Sequence, residues 1–275
     1  MAIEVSFSDN AGWILNKAKV FLRSKPVHNN VILTLLHARV ERFTPGRYWV
    51  ATDGNAVVGV VFQSPLNLRA IVTPMEPSIV RLIVDAISDA KVKLPGVGGD
   101  ATTAAHFAGQ WAERQKSAVV PFMGQRIYEV DKVDEPIGIK GHLRKAVRED
   151  RERLIDWVRH FYADTTGVQE SSAEDIVDRR VSAGRLWLWD NAGPVSIASL
   201  TPSMEGVVRV QLVYTPPENR GKGYASACVA GLSKQVLDAG HRCILYTDLG
   251  NPISNSVYRR IGYYVVAEGI HYRFE

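Results

Sequence analysis

Residues 207–225 read VVRVQLVYTPPENRGKGYA, in which an apolar run leads through two prolines into Arg-Gly-Lys-Gly. The run predicts a strand, and the stretch 226–240, SACVAGLSKQVLDAG, predicts a helix. The first N–H groups of a helix have no intrahelical partner and carry the positive end of its dipole, and glycine allows close approach of the backbone. We therefore predict an anion-binding turn at residues 220–225.

Two other glycine-rich motifs do not fit this turn. The P-loop requires GxxxxGK followed by Ser or Thr, whereas Gly223 follows Lys222. The dinucleotide fingerprint GxGxxG also fails, because Ser226 stands where its third glycine or alanine is required. Neither nucleoside triphosphate nor dinucleotide binding is predicted.

The pattern that remains is R-x-x-G-x-A, formed by Arg220, Gly223 and Ala225. It resembles the Q/R-x-x-G-x-G/A motif with which the GNAT acyltransferase superfamily holds the pyrophosphate of coenzyme A. A second motif follows one helix and one strand later, in NPISNSVYRRIGY at residues 251–263. It is similar to the family's N-x-x-A-x-x-x-Y-x-x-x-G-F/Y ending, with Ser254 in place of the alanine. Within the superfamily, the two motifs most resemble the C-terminal domain of glycine N-acyltransferase-like proteins.

The chain contains the same pattern twice. Residues 47–65 parallel residues 185–202, and both read as β-hairpins with Asp, Asn and Gly in the turn. Residues 70–90 parallel the strand, turn and helix described above but lack the Arg-Gly-Lys-Gly segment. The glycine cluster LPGVGGD could form another anion site, but Asp100 is favoured as a helix N-cap that would repel phosphate.

This repeat, together with the resemblance, implies an α/β fold, α+β in its mixed sheet, with two tandem GNAT copies of which the first is degenerate. The expected domains are 1–133, a linker at 134–142, and an acyl-CoA-binding catalytic domain at 143–275. The predicted second domain opens with a strand at 143–146, a helix at 150–165 and a helix at 173–183. We expect a monomer that acts as a pseudo-dimer of its two halves.

Composition limits the partners. At 275 residues, 46% hydrophobic and 23% charged, the chain reads as a soluble globular protein. It has no apolar run of about 20 residues and no basic, then apolar, N-terminus, so a cytoplasmic location without membrane contact is expected. The net charge of +4 is not clustered beyond pairs such as Arg259-Arg260, so no nucleic-acid partner is predicted.

The two cysteines, Cys228 and Cys243, are expected to be buried apolar core residues. The seven histidines lack metal-ligand spacing, so no metal is predicted.

The resemblance implies a role for each motif residue. Backbone N–H groups would hold the pyrophosphate of acetyl-CoA, the end of the preceding strand would pair with pantetheine, and Asn251 would contact the cofactor arm. The implied cofactor-binding residues are Leu212, Val213, Tyr214, Arg220, Gly221, Lys222, Gly223, Tyr224, Ala225 and Asn251. The N–H of Val213, within one residue either way, is the expected oxyanion donor.

Tyr258 is the candidate general acid, since a phenol is protonated at neutral pH and can donate to a departing thiolate. Core packing is the competing interpretation for this tyrosine. No carboxylate lies on the strand before the glycine turn, where Arg209 and Gln211 occupy the polar positions. The general base is therefore unassigned, and Glu205 is more readily explained as a solvated turn residue.

The predicted activity is N-acetylation of a small-molecule primary amine by direct attack on acetyl-CoA. The alternatives are a catalytically weak acyl-CoA-binding or regulatory protein, and an acyltransferase that uses a longer acyl-CoA or a protein amine. The missing carboxylate favours the binding protein, and Tyr258 favours the enzyme.

Overall fold

The structure is a computed structural model that describes residues 3–166 and 172–275. These residues form twelve strands and nine α-helices. The strands are β1 Ile3–Ser8, β2 Arg47–Asp53, β3 Ala56–Gln63, β4 Ala70–Val72, β5 Gly96–Asp100, β6 Val119–Val130, β7 His142–Lys145, β8 Leu186–Asp190, β9 Pro194–Leu200, β10 Val207–Tyr214, β11 Arg242–Asp248 and β12 Tyr264–Phe274. The helices are α1 Ala11–Lys17, α2 Lys19–Ser24, α3 Asn30–Glu41, α4 Pro77–Asp89, α5 Ala101–Gln115, α6 Arg151–Thr166, α7 Ala173–Ser182, α8 Tyr224–Asp238 and α9 Pro252–Arg260.

The chain divides into two compact units that are not simple halves. The first unit comprises Met1–Ile127, Thr247–Asn251 and Val265–Glu275, and the second comprises Tyr128–Tyr246 and Pro252–Tyr264. The C-terminal strand therefore belongs mostly to the first unit. The predicted division into domains 1–133 and 143–275, joined by a linker at 134–142, stays a prediction.

The first unit is a mixed sheet covered by amphipathic helices. Its strands follow the order β1, β2, β3, β4, β5 and β12, in which only β4 and β5 are parallel. Helix α4 connects these two parallel strands, and its isoleucines and valines recur at three- and four-residue spacing on the buried face. Asp100 ends β5 and caps α5, since its carboxylate accepts a hydrogen bond of 2.9 Å from the N–H of Thr103. The N-cap prediction is confirmed, and the glycine cluster before it is a strand.

The second unit repeats these pairings. Its strands follow the order β7, β8, β9, β10 and β11, antiparallel except for the parallel pair β10 and β11 that α8 connects. One sheet face packs against α8 and the other against α6 and α7. Trp187 and Trp189 lie two residues apart on β8 and both pack on the α8 side. The predicted tandem fold, with its two hairpins, is therefore confirmed.

Other sequence expectations also agree with the structure. The strand and two helices that open the second half lie within one or two residues of the predicted bounds. Cys228 and Cys243 are both buried and free. Over the described ranges, no helix has the length and apolar character needed to cross a membrane.

An arginine joins three segments at the edge of the second unit. Arg144 of β7 donates to both carboxylate oxygens of Asp150 at 2.7 and 2.9 Å, and its Nε donates to Asp190 at 2.7 Å. Burial pushes the pKa of Asp150 up, but the hydrogen bond from Arg144 holds it below its ordinary value. The same guanidinium lowers the pKa of Asp190. The network fixes β7 and the start of α6 to the β8–β9 hairpin.

Arg144→Met is expected to lower the free energy of unfolding by about 2–3 kcal/mol at pH 7, because two partly buried carboxylates lose their counter-charge. Both carboxyl pKa values are lowered in the folded state, so this stabilisation is present above pH ~4 and is lost as pH falls through the folded values. Urea unfolding at pH 7 and pH 3 measures the difference. Arg153→Met, at an exposed position on α6, is the matched control. An equal loss of stability in both variants would show that the Arg144 network is not its cause.

Candidate active site

The strand before the glycine turn contains a β-bulge near its end. On β10, Gln211 pairs with Ser199 and Tyr214 pairs with Ile197, so three steps on β10 face two on β9. Leu212 takes a positive φ of 51° within this bulge. A bulge bends its strand and turns backbone groups away from the ladder. Leu212 and Val213, two of the predicted cofactor-binding residues, therefore lie where the regular pairing is interrupted.

The parallel pair β10 and β11 stops short of the end of β10. Its paired residues run from Val207 and Arg242 to Val210 and Leu245, although β10 continues to Tyr214. The bulge follows directly after the last pair. Backbone groups beyond it are placed where an extended ligand could hydrogen bond like another strand.

The glycine turn, residues 220–223, lies between β10 and α8 and is open to solvent. Gly221 and Gly223 have φ values of 75° and 80°, which favour glycine. A Cβ on Gly221 would meet no atom within 4 Å, whereas a Cβ on Gly223 would lie 2.6 Å from Ile139 Cδ1. A side chain at Gly223 would displace the end of the Ile139 side chain and would be strained by the positive φ, whereas Gly221 leaves space that an anion can approach.

The cationic side chains of the turn are held by the protein. Arg220 donates from Nε to the carbonyl of Thr215 at 2.9 Å and from Nη2 to Asp164 of α6 at 3.0 Å. Its guanidinium also lies 5.8 Å from the ring centroid of Tyr214. Lys222 donates to the carbonyl of Glu218 at 3.0 Å. These contacts fix the turn against the end of β10, so the backbone N–H groups are its better-placed anion donors.

The first turn of α8 begins directly after this segment. The N–H of Ala227 makes the first helical bond, to the carbonyl of Gly223 at 3.0 Å. The N–H groups of Tyr224 and Ala225 precede it, in the helix positions that lack intrahelical acceptors. The Tyr224 hydroxyl accepts a hydrogen bond of 2.9 Å from Asn191. This contact fixes the helix start to the β8–β9 hairpin.

Tyr258 of α9 lies in the core on the α8 side of the sheet and is 8% exposed. Its ring lies 6.4 Å from the ring of Tyr128 and 6.1 Å from that of Tyr263. Burial raises the pKa of Tyr258 to about 12. The phenol is less acidic than the sequence argument assumes, because complete transfer of its proton to a thiolate of pKa ~8.5 is uphill by roughly 5 kcal/mol. Tyr258 therefore serves better as a hydrogen-bond donor than as a source of a full proton.

Two further candidates, Glu205 and Asn251, lie outside β10 and the glycine turn. Glu205 is exposed in a tight turn before β10, and the strand from Val207 to Val213, six steps of about 3.3 Å each, separates that turn from Val213. This distance argues against Glu205 as the base. Asn251 belongs to the first compact unit, where its N–H donates to the carbonyl of Asp248 at 3.1 Å. Its contact with the cofactor arm stays a prediction.

Sequence reasoning missed the surroundings of two side chains beside β10, His160 and Arg209. The ring of His160 on α6 stacks on that of Tyr214 at 6.4 Å, and Arg209 is buried against Tyr246. His160 lies on a helix whose spacing indicated only its apolar face, and Arg209 occupies an ordinary polar strand position. The sequence gave no local signal of these surroundings, because they depend on how α6 and α7 cover the sheet. In the described part of the chain, no three His, Cys, Asp or Glu residues form a group that could hold a metal.

Comparison with solved structures finds the same fold. An acetyltransferase of the GNAT family from Colwellia psychrerythraea is 11% identical, with a TM-score of 0.63 over 100% of both chains. A GCN5-related N-acetyltransferase from Kribbella flavida is 18% identical, with a TM-score of 0.56 over 88% of this chain and 93% of its own. A tandem GNAT protein from the clavulanic acid biosynthesis pathway is 12% identical, with a TM-score of 0.57 over 98% of both chains.

Sequence comparisons cover less of the chain. The family model described as FR47-like protein matches residues 205–271, which include the bulge, the glycine turn and Tyr258. Comparison with curated proteins finds no match. The chain therefore has the tandem GNAT fold, with a GNAT-like sequence segment at the predicted site. The finer resemblance to glycine N-acyltransferase-like proteins stays a prediction.

Proposed function

We propose that this protein is an N-acetyltransferase that transfers the acetyl group of acetyl-CoA to a primary amine of a small molecule. The observation that carries the proposal is the order of three features along one segment. These are the bulge at Leu212 and Val213, the end of pairing between β10 and β11, and the glycine turn before α8. Together they provide backbone donors for an extended arm and for a phosphate group.

The residues fit coenzyme A in two respects. The open space at Gly221 lies at the start of α8, where backbone N–H groups favour an anion. The bulge turns the backbone of Leu212 and Val213 away from the ladder with β9. When bound, acetyl-CoA would supply the activated acyl group.

The chain's own groups have three tasks in this reaction. The N–H of Val213, within one residue either way, would donate to the carbonyl oxygen as negative charge develops on it. Tyr258 would donate a hydrogen bond to the departing sulfur, in keeping with its raised pKa of about 12. The attacking amine must lose a proton, and His160 of α6, whose ring stacks on Tyr214 at the end of β10, would accept it.

Two measurements test the proposal. Acetyl-CoA at about 100 times its dissociation constant is expected to stabilise the protein by about 2.7 kcal/mol, a rise of several degrees in Tm. A panel of primary amines is then expected to release free thiol from acetyl-CoA, with acetylated amine as the other product. A rise in Tm without thiol release in the presence of any amine would contradict the proposed enzymatic activity.

The second candidate, an acyl-CoA-binding protein without catalysis, is favoured by one observation. Strand β10 has no carboxylate, and Arg209 and Gln211 occupy its polar positions, with Arg209 buried. Comparing acetyl-CoA with longer acyl-CoAs in both measurements tests the choice of acyl group. Absence of any Tm rise with all of them would contradict both candidates.

A further inference from the structure

A group of cationic and aromatic side chains lies on the first unit, on the sheet face opposite α4 and α5. His271 of β12 pairs with Gly98 of β5, and Arg273 lies two residues further along β12. Tyr272, between them, packs into the core formed with α4 and α5. Because side chains alternate along a strand, His271 and Arg273 share the other face.

The ring of Phe122 on β6 brings these side chains together with a second arginine, Arg69, which directly precedes β4. The ring centroid lies 5.9 Å from the ring of His271, and 5.5 and 5.7 Å from the guanidinium carbons of Arg69 and Arg273. Phe122 is 44% exposed and the Arg273 side chain 60%, so the group is open to solvent on one side. We call Arg69, Phe122, His271 and Arg273 the Phe122 cluster.

His271 is the buried member of the Phe122 cluster. It is 5% exposed, and neither ring nitrogen has a hydrogen-bond partner within residues 3–166 and 172–275. The ring occupies the space of a side chain on Gly98, since a Cβ there would collide with Nδ1. Burial, and then the charge of Arg69, lower the pKa of His271 to about 3. The imidazole is therefore neutral at pH 7 and has one N–H to donate.

The two arginines of the cluster have little counter-charge. The Arg69 side chain makes no hydrogen bond or ion pair with the residues that the structure describes, and its Nε is buried. Arg273 approaches Glu275 only to 4.0 Å, and both side chains are exposed. Because arginine stays protonated at neutral pH, the cluster presents two positive charges beside one distant carboxylate.

A doubly charged oxyanion matches this arrangement better than a singly charged one. A phosphate monoester carries about −1.5 to −2 charges at pH 7 and offers three acceptor oxygens. Guanidinium groups bind such oxygens through paired N–H groups. A single carboxylate would leave one of the two guanidinium charges without a partner.

We propose that the Phe122 cluster binds a phosphate group, supplied by free phosphate or by a small phosphomonoester. Arg69 and Arg273 are its charged donors, and the His271 N–H is a neutral one. The site uses none of the residues assigned to acyl transfer. It therefore goes beyond the proposed function and does not rest on it.

Calorimetric titration at constant ionic strength tests the site with inorganic phosphate, methyl phosphate and acetate as probes. We expect saturable binding of phosphate, and binding of acetate at least about tenfold weaker. Tighter binding of methyl phosphate than of phosphate would support a phosphomonoester as the ligand, and the reverse would support the free ion. Binding of neither, or equal affinity for acetate, would overturn the inference.

Arg69→Gln is the informative variant, because it removes a charge without breaking a hydrogen bond or ion pair in the described ranges. It is expected to weaken phosphate binding at least about tenfold and not to lower Tm in phosphate-free buffer. Arg273→Gln, at an exposed position, should act in the same direction. Arg81→Gln, exposed on α4, removes the same charge and is the matched control. Equal loss of phosphate affinity in Arg69→Gln and Arg81→Gln would assign the effect to net charge and overturn the inference.

The glycine turn is the competing place for phosphate. Gly221→Ala should leave phosphate binding at the Phe122 cluster unchanged. Loss of phosphate binding in Gly221→Ala, with full binding in Arg69→Gln, would place the anion at the glycine turn and overturn the inference. The titration needs neither acetyl-CoA nor an amine, so its result is independent of the proposed enzymatic activity.

Discussion

Gly221→Ala is expected to weaken coenzyme A binding at least about tenfold while costing no more stability than a matched glycine elsewhere. The new methyl group would occupy the open space in front of the first N–H groups of α8, where the pyrophosphate is proposed to bind. Calorimetric titration with coenzyme A measures the affinity, and thermal unfolding measures the stability. A tenfold loss corresponds to about 1.4 kcal/mol.

The chain offers a matched control for this change at the other end of the same helix. Gly240 has a φ of 77°, close to the 75° of Gly221, and a Cβ on either residue would meet no atom within 4 Å. Both alanine variants should therefore lose a similar amount of stability, about 1–2 kcal/mol, from the left-handed conformation. Only Gly221→Ala should weaken coenzyme A. Equal affinity in the two variants would show that the glycine turn does not bind the cofactor.

Other changes in the turn are less selective. Gly223→Ala would place its Cβ 2.6 Å from Ile139 Cδ1, so lost affinity would be mixed with disturbed packing. Arg220→Ala would break the ion pair with Asp164 of α6. Asp164→Asn removes the same ion pair but keeps the arginine. If Arg220→Ala weakens coenzyme A and Asp164→Asn does not, the guanidinium itself contributes to binding.

The strand, turn and helix around the site were predictable from sequence because their signals are local. Alternating β-prone residues, two glycines and an apolar helix predict an anion-binding turn before α8. The bulge has no such signal. Leu212 takes a φ of 51° although its side chain is not that of a glycine, and it is the three-for-two pairing with β9 that imposes this conformation.

Non-local contacts explain why the position of the C-terminal strand and the burial of Arg209 could not be predicted from the sequence. Residues 269–273 pair with residues 96–100, so the C-terminal strand joins the first unit across most of the chain length. Composition shifts along the chain cannot reveal such a pairing. Arg209 likewise reads as a polar strand residue, but α6 and α7 cover its face of the sheet. Its burial depends on that cover and has no signal in the local strand pattern.

Tyr258→Phe is expected to lower kcat about a hundredfold or more while KM for acetyl-CoA changes little. The variant keeps the ring in the core and removes only the hydroxyl that would donate to the departing sulfur. Steady-state kinetics with a reactive amine measures both constants. Tyr263→Phe is the matched control, because it removes a second buried hydroxyl from the same cluster.

The control should lose stability and keep activity. The Tyr263 hydroxyl lies 2.7 Å from Ser233 Oγ, and losing this hydrogen bond should cost about 1 kcal/mol. If Tyr258→Phe keeps the wild-type kcat, its ring serves packing alone, and the departing sulfur must be protonated by another group or by water.

The pH dependence of stability gives an independent measure of the Tyr258 environment. Burial raises the pKa of Tyr258 to about 12, above the value of ~10 for an exposed phenol in the unfolded chain. A folded-state pKa above the unfolded value means that the stabilisation is complete below pH ~10 and is lost as pH rises through 12. Tyr258→Phe should therefore lose less stability than wild type between these pH values. Below pH 10 the hydroxyl stays protonated, so its role as a donor should impose no alkaline limb on kcat there, and any such limb belongs to another group.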